Sequence, residues 1–179
     1  MITLQTERLI LRPWCETDAE DLYTYASDPA VGLPAGWMPH TSVNHSREII
    51  RTVLSKPEVS AVCFKDGRPI GNIHLNFATD MTDRDDECEL GYWLGKPFWG
   101  RGIIPEAGTA LLHRAFDDLR VHAVWSGRYD CNEKSRRVQE KLGFVYHHST
   151  EGLLVPQVNE IRTGHVMLLT REMWEREGT

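Results

Sequence analysis

Between Gly91 and Ala107 the sequence reads Gly-Tyr-Trp-Leu-Gly-Lys-Pro-Phe-Trp-Gly-Arg-Gly-Ile-Ile-Pro-Glu-Ala, and this stretch limits the fold more than any other. Glu89 to Leu94 is rich in strand formers, Gly100 and Gly102 stand two apart as in a tight turn, and Pro105 suits the first turn of a helix. Ile104, Ala107, Leu111 and Ala115 then recur at helical spacing, and Val121 to Arg128 reads as another strand. Strand, helix and strand in succession make a crossover, so the two strands should run parallel. The first amides of a helix have no partners within it, so a glycine turn in front of them suits a phosphate or pyrophosphate. The segment matches neither of two common nucleotide fingerprints: the third glycine of a dinucleotide site is missing, and no Gly-Lys-Ser/Thr follows.

The rest of the chain supplies neighbours for that unit. Leu9-Ile10-Leu11 reads as a strand, and Thr17-Asp18-Ala19-Glu20 as a capping box opening a helix with Leu22, Tyr25 and Ala26 on one face. Asp28 to His40 holds three prolines and two glycines around Trp37 and Met38, and reads as a loop of the kind that touches ligands. Ile49, Ile50, Val53 and Leu54 mark a second helix, closed off by Pro57. Ala61 to Phe64 and Ile70 to Phe77 flank Asp66-Gly67 as an antiparallel hairpin. The run Asp83 to Glu87 reads as a solvated connection. Asn132 to Leu142 is a short helix between an asparagine cap and the Gly143 stop, and Phe144 to Tyr146 and Gly164 to Thr170 supply the last strands. The class is α/β or α+β with a mixed sheet. No repeat, low-complexity tract or Ser/Gly linker interrupts the chain, so residues 1–179 are expected to form a single domain.

Composition narrows the function. With 41% hydrophobic and 26% charged residues, the chain can fill a packed core. Its apolar runs, such as Val166 to Leu169, fall far short of the roughly 20 residues of a membrane-spanning helix. Met1 to Glu7 lacks the basic and apolar pattern of an export signal, so a cytoplasmic location without membrane attachment is expected. A net charge of −6 argues against a general nucleic-acid binder and leaves an amine-bearing partner open. Cys15, Cys63, Cys88 and Cys131 form no C-x-x-C pair and read as reduced thiols. Eight histidines do not amount to a metal site, because the adjacent His147 and His148 would face opposite sides of a strand and no H-x-x-x-H pair occurs.

Taken together, Thr6-Glu7-Arg8-Leu9-Ile10-Leu11-Arg12-Pro13, Ile70-Gly71-Asn72-Ile73, Glu89 to Leu94 with Trp99-Gly100-Arg101-Gly102, and Asn132 to Arg137 ending in Glu140-Lys141-Leu142-Gly143-Phe144 resemble, in this order, the GCN5-related N-acetyltransferase (GNAT) superfamily, of the Rim-like type that acetylates ribosomal-protein N-termini. The resemblance spans roughly residues 6 to 146. It implies a mostly antiparallel sheet splayed at one parallel strand pair and flanked by helices. It also implies direct acetyl transfer from acetyl-CoA to a primary amine, either a protein N-terminal α-amine or a small molecule. An acyl-CoA-binding sensor or interaction module without turnover is the alternative, motivated by Ile104 in the loop. The family is often dimeric, which leaves a homodimer open, with an exposed apolar patch as its structural sign.

The resemblance also implies residue roles. The family's Gln/Arg-x-x-Gly-x-Gly/Ala loop falls on Trp99, Gly100, Arg101, Gly102, Ile103 and Ile104. Trp99 stands for the polar first residue, Ile104 is bulkier than the expected Gly or Ala, and Arg101 is a candidate for the adenosine 3′-phosphate. Trp93 and Leu94 match a strand bulge whose amide stabilises the oxyanion beside the pantetheine arm. Asn132 would bind the cofactor arm as well as cap its helix, and Ser135 would donate to the departing sulfur, with Tyr129 as the fallback acid. Glu89 is the candidate base. A lysine-type amine near pKa 10.4 is about 0.04% neutral at pH 7, against about 14% for an α-amine near 7.8, so an α-amine needs only about 1 kcal/mol of deprotonation rather than about 4.6. Trp37 and His40 are candidates for the acceptor pocket. Cys131 is a thiol without an evident base, and direct transfer does not need one.

Overall fold

A computed structural model of the chain describes residues 2–177; Met1 and residues 178–179, which the single-domain expectation includes, lie outside the described residues. Eight strands form one sheet: β1 (Leu4–Gln5), β2 (Leu9–Arg12), β3 (Val59–Phe64), β4 (Pro69–Asn76), β5 (Glu87–Leu94), β6 (Ala123–Tyr129), β7 (Val145–Val155) and β8 (Glu160–Thr170), in the order β1-β2-β3-β4-β5-β6-β8-β7. Neighbours are antiparallel except β5 and β6, the pair joined by the crossover. The helices are α1 (Ala19–Ala26), α2 (Pro29–Ala35), α3 (Val43–Ile49), α4 (Ile103–His113), α5 (Glu133–Lys141) and α6 (Arg171–Glu177). π-Helical turns at Ile50–Leu54 and Arg114–Asp118 extend α3 and α4.

Helices cover both faces, which is why β3 and most of β4 are buried on both sides, including the polar Ser60 and Asn72. On one face Ile103, Ala107, Leu111 and Leu112 of α4 pack with Phe116, Leu142 and Phe144 against Ile73, Leu90 and Val124. On the other, Ala19, Leu22 and Ala26 of α1 pack with Ile50 and Leu54 against Ala61 and Cys63. Each fully buried Leu, Ile, Val or Phe side chain among these contributes about 1.5–3 kcal/mol.

Several expectations are corrected. Asp28 to His40 is not all loop. Asp28 Oδ1 accepts the Ala30 N–H at 2.9 Å, Pro29 sits where a helix needs no N–H, and Gly36 at φ 84° ends α2. Of these breakers Pro29 and Gly36 delimit the helix, whereas Gly32 and Pro34 lie within its seven residues. Thr17 does not cap α1. A 3-10 turn at Glu16–Asp18 precedes it, and the Asp18 carboxylate accepts the Cys15 N–H at 2.8 Å while holding Arg12 through both oxygens at 2.7 and 2.9 Å. The acidic run is solvated only through Asp86. Glu87 opens β5 at 5% exposure and accepts from Thr82 Oγ1 and Trp125 Nε1, both at 2.7 Å. His147 and His148 do not face opposite sides: a register shift between Tyr146 and His148 brings their Nδ1 atoms to 2.8 Å.

Candidate active site

The site begins where β5 and β6 part. Their parallel pairing runs from Glu87 opposite Ala123 to Glu89 opposite Trp125 and stops there, while β5 stays paired with β4 from Asn76 opposite Glu89 to Gly71 opposite Leu94. The register of β4 and β5 advances residue for residue. The implied bulge at Trp93 and Leu94 is therefore absent, and the sheet opens because β6 diverges. Where the ladder ends, the Ser126 hydroxyl donates to the Leu90 carbonyl at 3.0 Å and accepts from buried Gln139 of α5, also at 3.0 Å. A side chain thus satisfies a carbonyl that the next strand no longer reaches.

The opening leads into a cleft of about 640 Å³. Its walls are Ala30, Val31, Pro34 and Ala35 of α2, the β5 end at Tyr92, Trp93 and Leu94, the loop Phe98 to Gly102, the start of α4, and α5 with Cys131 and Asn132 before it. Trp93, Leu94, Trp99, Gly100, Arg101, Gly102, Ile103, Ile104, Asn132 and Ser135 all border this one space. The structure thus brings the expected cofactor residues together.

The loop geometry explains its residues. Gly100 and Gly102 have φ of 75° and 71°, a region that favours glycine, and a Cβ on Gly100 would meet nothing within 4 Å, so that glycine serves backbone shape. The Glu106 N–H bonds the Gly102 carbonyl and begins the helical ladder of α4. The amides of Gly102, Ile103 and Ile104 precede that ladder, and Pro105 has no N–H, so three donors stand at the mouth of α4. Ile104 is 4% exposed and packs in the main core, which takes up its bulk. Trp99 Nε1 donates to the Leu94 carbonyl at 2.7 Å, tying loop to strand end, and Lys134 Nζ lies 3.7 Å from the Trp99 ring. Lys134, Arg137 and Lys141 join exposed Arg101 around the cleft, giving it a positive wall on an acidic chain.

Backbone direction separates Trp93 from Leu94. The Gly95 N–H bonds the Ile70 carbonyl of β4, whereas the Leu90 carbonyl is met from β6. Backbone groups alternate along a strand, so Tyr92 and Leu94 present theirs to the opening and Trp93 to β4. Side chains alternate too: Glu87, Glu89 and Trp93 share the α1 to α3 face, and Leu90, Tyr92 and Leu94 the α4 to α5 face.

Glu89 accepts the Thr79 hydroxyl at 3.0 Å. Burial raises its carboxyl above the ordinary range, partly opposed by bonds from Thr79 and Asn76, with Asp80 raising it further. Around it the α1 to α3 face is aromatic. Trp14 and Trp37 pack on Trp93 with ring centres 6.4 and 6.1 Å away, and Trp14 Nε1 donates to Asn72 Oδ1 at 2.9 Å. His40 is buried with Nδ1 2.8 Å from Ser46 Oγ, so Trp37 and His40 belong to packing behind Trp93 and do not border the cleft.

On the other face Asn132 Oδ1 accepts the Ser135 N–H at 3.1 Å, as a helix cap does. The Ser135 hydroxyl lies 2.9 Å from the buried Tyr92 hydroxyl. Tyr129 points elsewhere: its ring sits under Gly36 at the end of α2, with the Arg162 guanidinium 5.2 Å away. Cys131 is exposed at the cleft. Among the described residues no group of three or more His, Cys, Asp or Glu could hold a metal ion, and no helix is long and apolar enough to cross a membrane. Sequence reasoning missed Tyr92, Thr79 and the α2 wall. The period-2 pattern of β5 held the signal for Tyr92, and the Asp28-Pro29 to Gly36 brackets held it for α2.

Comparison with known proteins follows from this geometry. Residues 8–145 match the family described as an acetyltransferase (GNAT) domain. The chain is 32% identical to the uncharacterised N-acetyltransferase p20 of Bacillus licheniformis, over 86% of each protein. It is 36% identical over 66% of its length to YdaF of Bacillus subtilis (strain 168), provisionally named a ribosomal N-acetyltransferase, covering 63% of that protein. A crystal structure of a GNAT-family acetyltransferase from Bacillus anthracis superposes with a TM-score of 0.82 at 20% identity, covering 96% of this chain and 99% of that one.

Proposed function

Because this chain belongs to the GNAT acetyltransferase family, we propose that it moves the acetyl group of acetyl-CoA directly onto a primary amine, with a protein N-terminal α-amine as acceptor. The observation that carries this reading is the opening between β5 and β6, with the half-buried Glu89 carboxylate at the last position where β5 pairs with β6, outside the cleft lining, and a glycine-shaped row of helix amides bordering the cleft.

Acetyl-CoA supplies the acetyl thioester. The Trp99 to Ile104 backbone would hold its diphosphate, since partnerless amides at a helix start favour such an anion. Arg101 would meet the 3′-phosphate, and Trp93, Leu94 and Asn132 would line the path of the arm. The Leu94 N–H, directed into the opening, would donate to the acetyl oxygen as charge develops there. Glu89 takes the amine proton, directly or through water; its raised affinity for protons brings it nearer to the acidity of the amine it serves. Ser135 donates to the sulfur.

The acceptor assignment rests on deprotonation. One carboxyl held by Thr79 suits an α-amine, which needs about 1 kcal/mol, better than a lysine side chain at about 4.6. The name of YdaF, a provisional ribosomal N-acetyltransferase, supports a ribosomal acceptor without naming the amine. A polyamine, aminoglycoside or amino acid suits the acidic balance of the chain. Exposed Leu154 and Ile161, opposite each other on β7 and β8, are the apolar surface that a homodimer would cover. Incubation with acetyl-CoA, peptides with free or blocked α-amines and a set of small amines, followed by thiol release and mass spectrometry, tests the reading. Acetylation on free α-amines is expected. Exclusive modification of small amines would remove the acceptor assignment, and absence of calorimetric binding of CoA at millimolar concentration would remove the cofactor site.

A further inference from the structure

Tyr92 stands in the cleft wall with an unusual division of hydrogen bonds. Its hydroxyl is 3.1 Å from the Ser135 carbonyl and 2.9 Å from the Ser135 hydroxyl, so both hydrogen bonds of this phenol fall on one residue of α5. A carbonyl only accepts, and a phenol has one proton to give. Two arrangements follow. If Tyr92 donates to the carbonyl, the Ser135 hydroxyl donates to Tyr92 and its proton is turned away from the cleft. If Tyr92 donates to Ser135 Oγ, the Ser135 proton is released towards the cleft that both residues border. No heavy atom has to move between them.

A second observation bears on the same place. Arg128 of β6 falls on the face of Ser126 by strand alternation, and its Nε and Nη1 are buried without a hydrogen-bond partner. Its charge acts on the Tyr92 hydroxyl, while burial holds that phenol in its protonated form. Unsatisfied buried donors on a cation demand an explanation, and a negative charge arriving nearby supplies one.

Resting on the reading of Ser135 as the donor to sulfur, we infer that Tyr92 is a positioning residue that aims the Ser135 proton at the departing thiolate, in the field of Arg128. The step balances without a strong acid on this face. The amine nitrogen bonds to the acetyl carbon, the carbon–sulfur bond breaks, and its electron pair goes to sulfur. The amine proton leaves through Glu89, and the sulfur takes a proton from water after departure. A thiol with a reference pKa near 8.5 needs only a hydrogen bond to leave near neutral pH. Ser135 gives that bond, and Tyr92 donates to Ser135 Oγ as it does so.

Tyr92→Phe keeps the ring and removes only the hydroxyl. Steady-state kinetics of Tyr92→Phe, Ser135→Ala and the double variant, with melting curves to confirm folding, make the test. Each single change is expected to lower kcat roughly tenfold with the KM for acetyl-CoA within about twofold, and the double to be no slower than Ser135→Ala, because partners acting as a unit are not additive. A readout independent of turnover is the thiolate absorption of bound CoA against pH, which should move to higher pH in both single variants. Incorporation of 3-fluorotyrosine at position 92, which keeps the hydroxyl, should restore the wild-type values. Additive losses, or wild-type kcat and thiol titration in Tyr92→Phe beside a slow Ser135→Ala, would overturn the role of Tyr92 alone. A Ser135→Ala enzyme with wild-type kcat and thiol titration would instead overturn the role of Ser135, and this inference with it.

Discussion

Arg8 reaches Glu106 across nearly a hundred residues of chain, its Nε 2.6 Å from Glu106 Oε2, while its Nη1 donates to the Arg101 carbonyl at 3.1 Å. The Arg8 N–H and the Thr6 hydroxyl bond the other Glu106 oxygen. Glu106 stands in the first turn of α4, where negative charge also suits the helix dipole. Two sequence motifs, one opening the chain and one forming the glycine loop, are therefore one mechanical unit: the start of the chain fixes the shape of the loop.

Arg8→Ala should loosen that loop with little effect on stability, since a half-exposed ion pair is worth about 1 kcal/mol or less. The expected result is a severalfold rise in the KM for acetyl-CoA with kcat nearly unchanged, because Arg8 does not border the cleft. An unchanged KM beside an intact fold would show that the loop keeps its shape unaided.

Glu89 should set the acid limb of the pH profile. Burial raises its affinity for protons, so the base form is lost at a higher pH than for an ordinary glutamate, and kcat/KM should fall as pH drops through that raised value. Glu89→Gln should cost on the order of 10²-fold in kcat and remove this limb. Thr79→Val, which deletes a bond that favours the carboxylate, should move the limb further up in pH. Full activity of Glu89→Gln from pH 6 to 9 would take Glu89 out of the mechanism.

The crossover was legible because one pattern changes period within a few residues: Glu89 to Leu94 alternates, Ile104 to Ala115 repeats at helical spacing, and the glycines between them fix the turn. It fixed the parallel pair and the loop at the mouth of α4. What stayed hidden depends on distance along the chain. Glu87 looks like one more surface acid in a charged run, and its burial depends on partners that include the Trp125 indole, 38 residues on. His147 and His148 would alternate on a regular strand, and the extra residue at that point is invisible without the partner strand. Tyr92 and Ser135 are 43 residues apart, and their bond exists only because α5 packs across the opening.

Gly91 answers to a close approach. A Cβ there would lie 2.4 Å from the His74 ring, which is held by the Asn72 side-chain amide 3.2 Å from its Nδ1. Trp14 occupies Asn72 Oδ1, so Asn72 offers its NH2 to His74, and the neutral ring must accept at Nδ1. Gly91→Ala should therefore destabilise the protein by about 1–3 kcal/mol through overpacking, read as a lower urea midpoint. The double variant Gly91→Ala with His74→Ala should recover part of that loss; a single variant as stable as the parent would mean that the ring is free to move.

His74 and His40 should make the protein lose stability on mild acidification. Burial lowers each to about 4, with the neighbouring charge of His45 adding to the effect at His40. In the unfolded chain both take up a proton near pH 6.5. Between pH 6.5 and 4 the unfolded state therefore binds more protons than the folded one, so stability falls as pH falls, and this part of the loss is complete only below about 4. Ordinary carboxylates begin to contribute mainly below pH 5, and Glu89, whose raised proton affinity favours the folded state as pH falls, offsets part of the loss, so the net decline from pH 6.5 to 5 is a lower bound on the effect of the two histidines. The melting temperature should drop across that interval, and His74→Gln, which still offers Asn72 an acceptor, should make the slope shallower. A flat melting temperature from pH 7 to 5 would mean that both rings take up a proton in the folded protein as readily as in the unfolded chain, which the Asn72 amide facing His74 Nδ1 opposes.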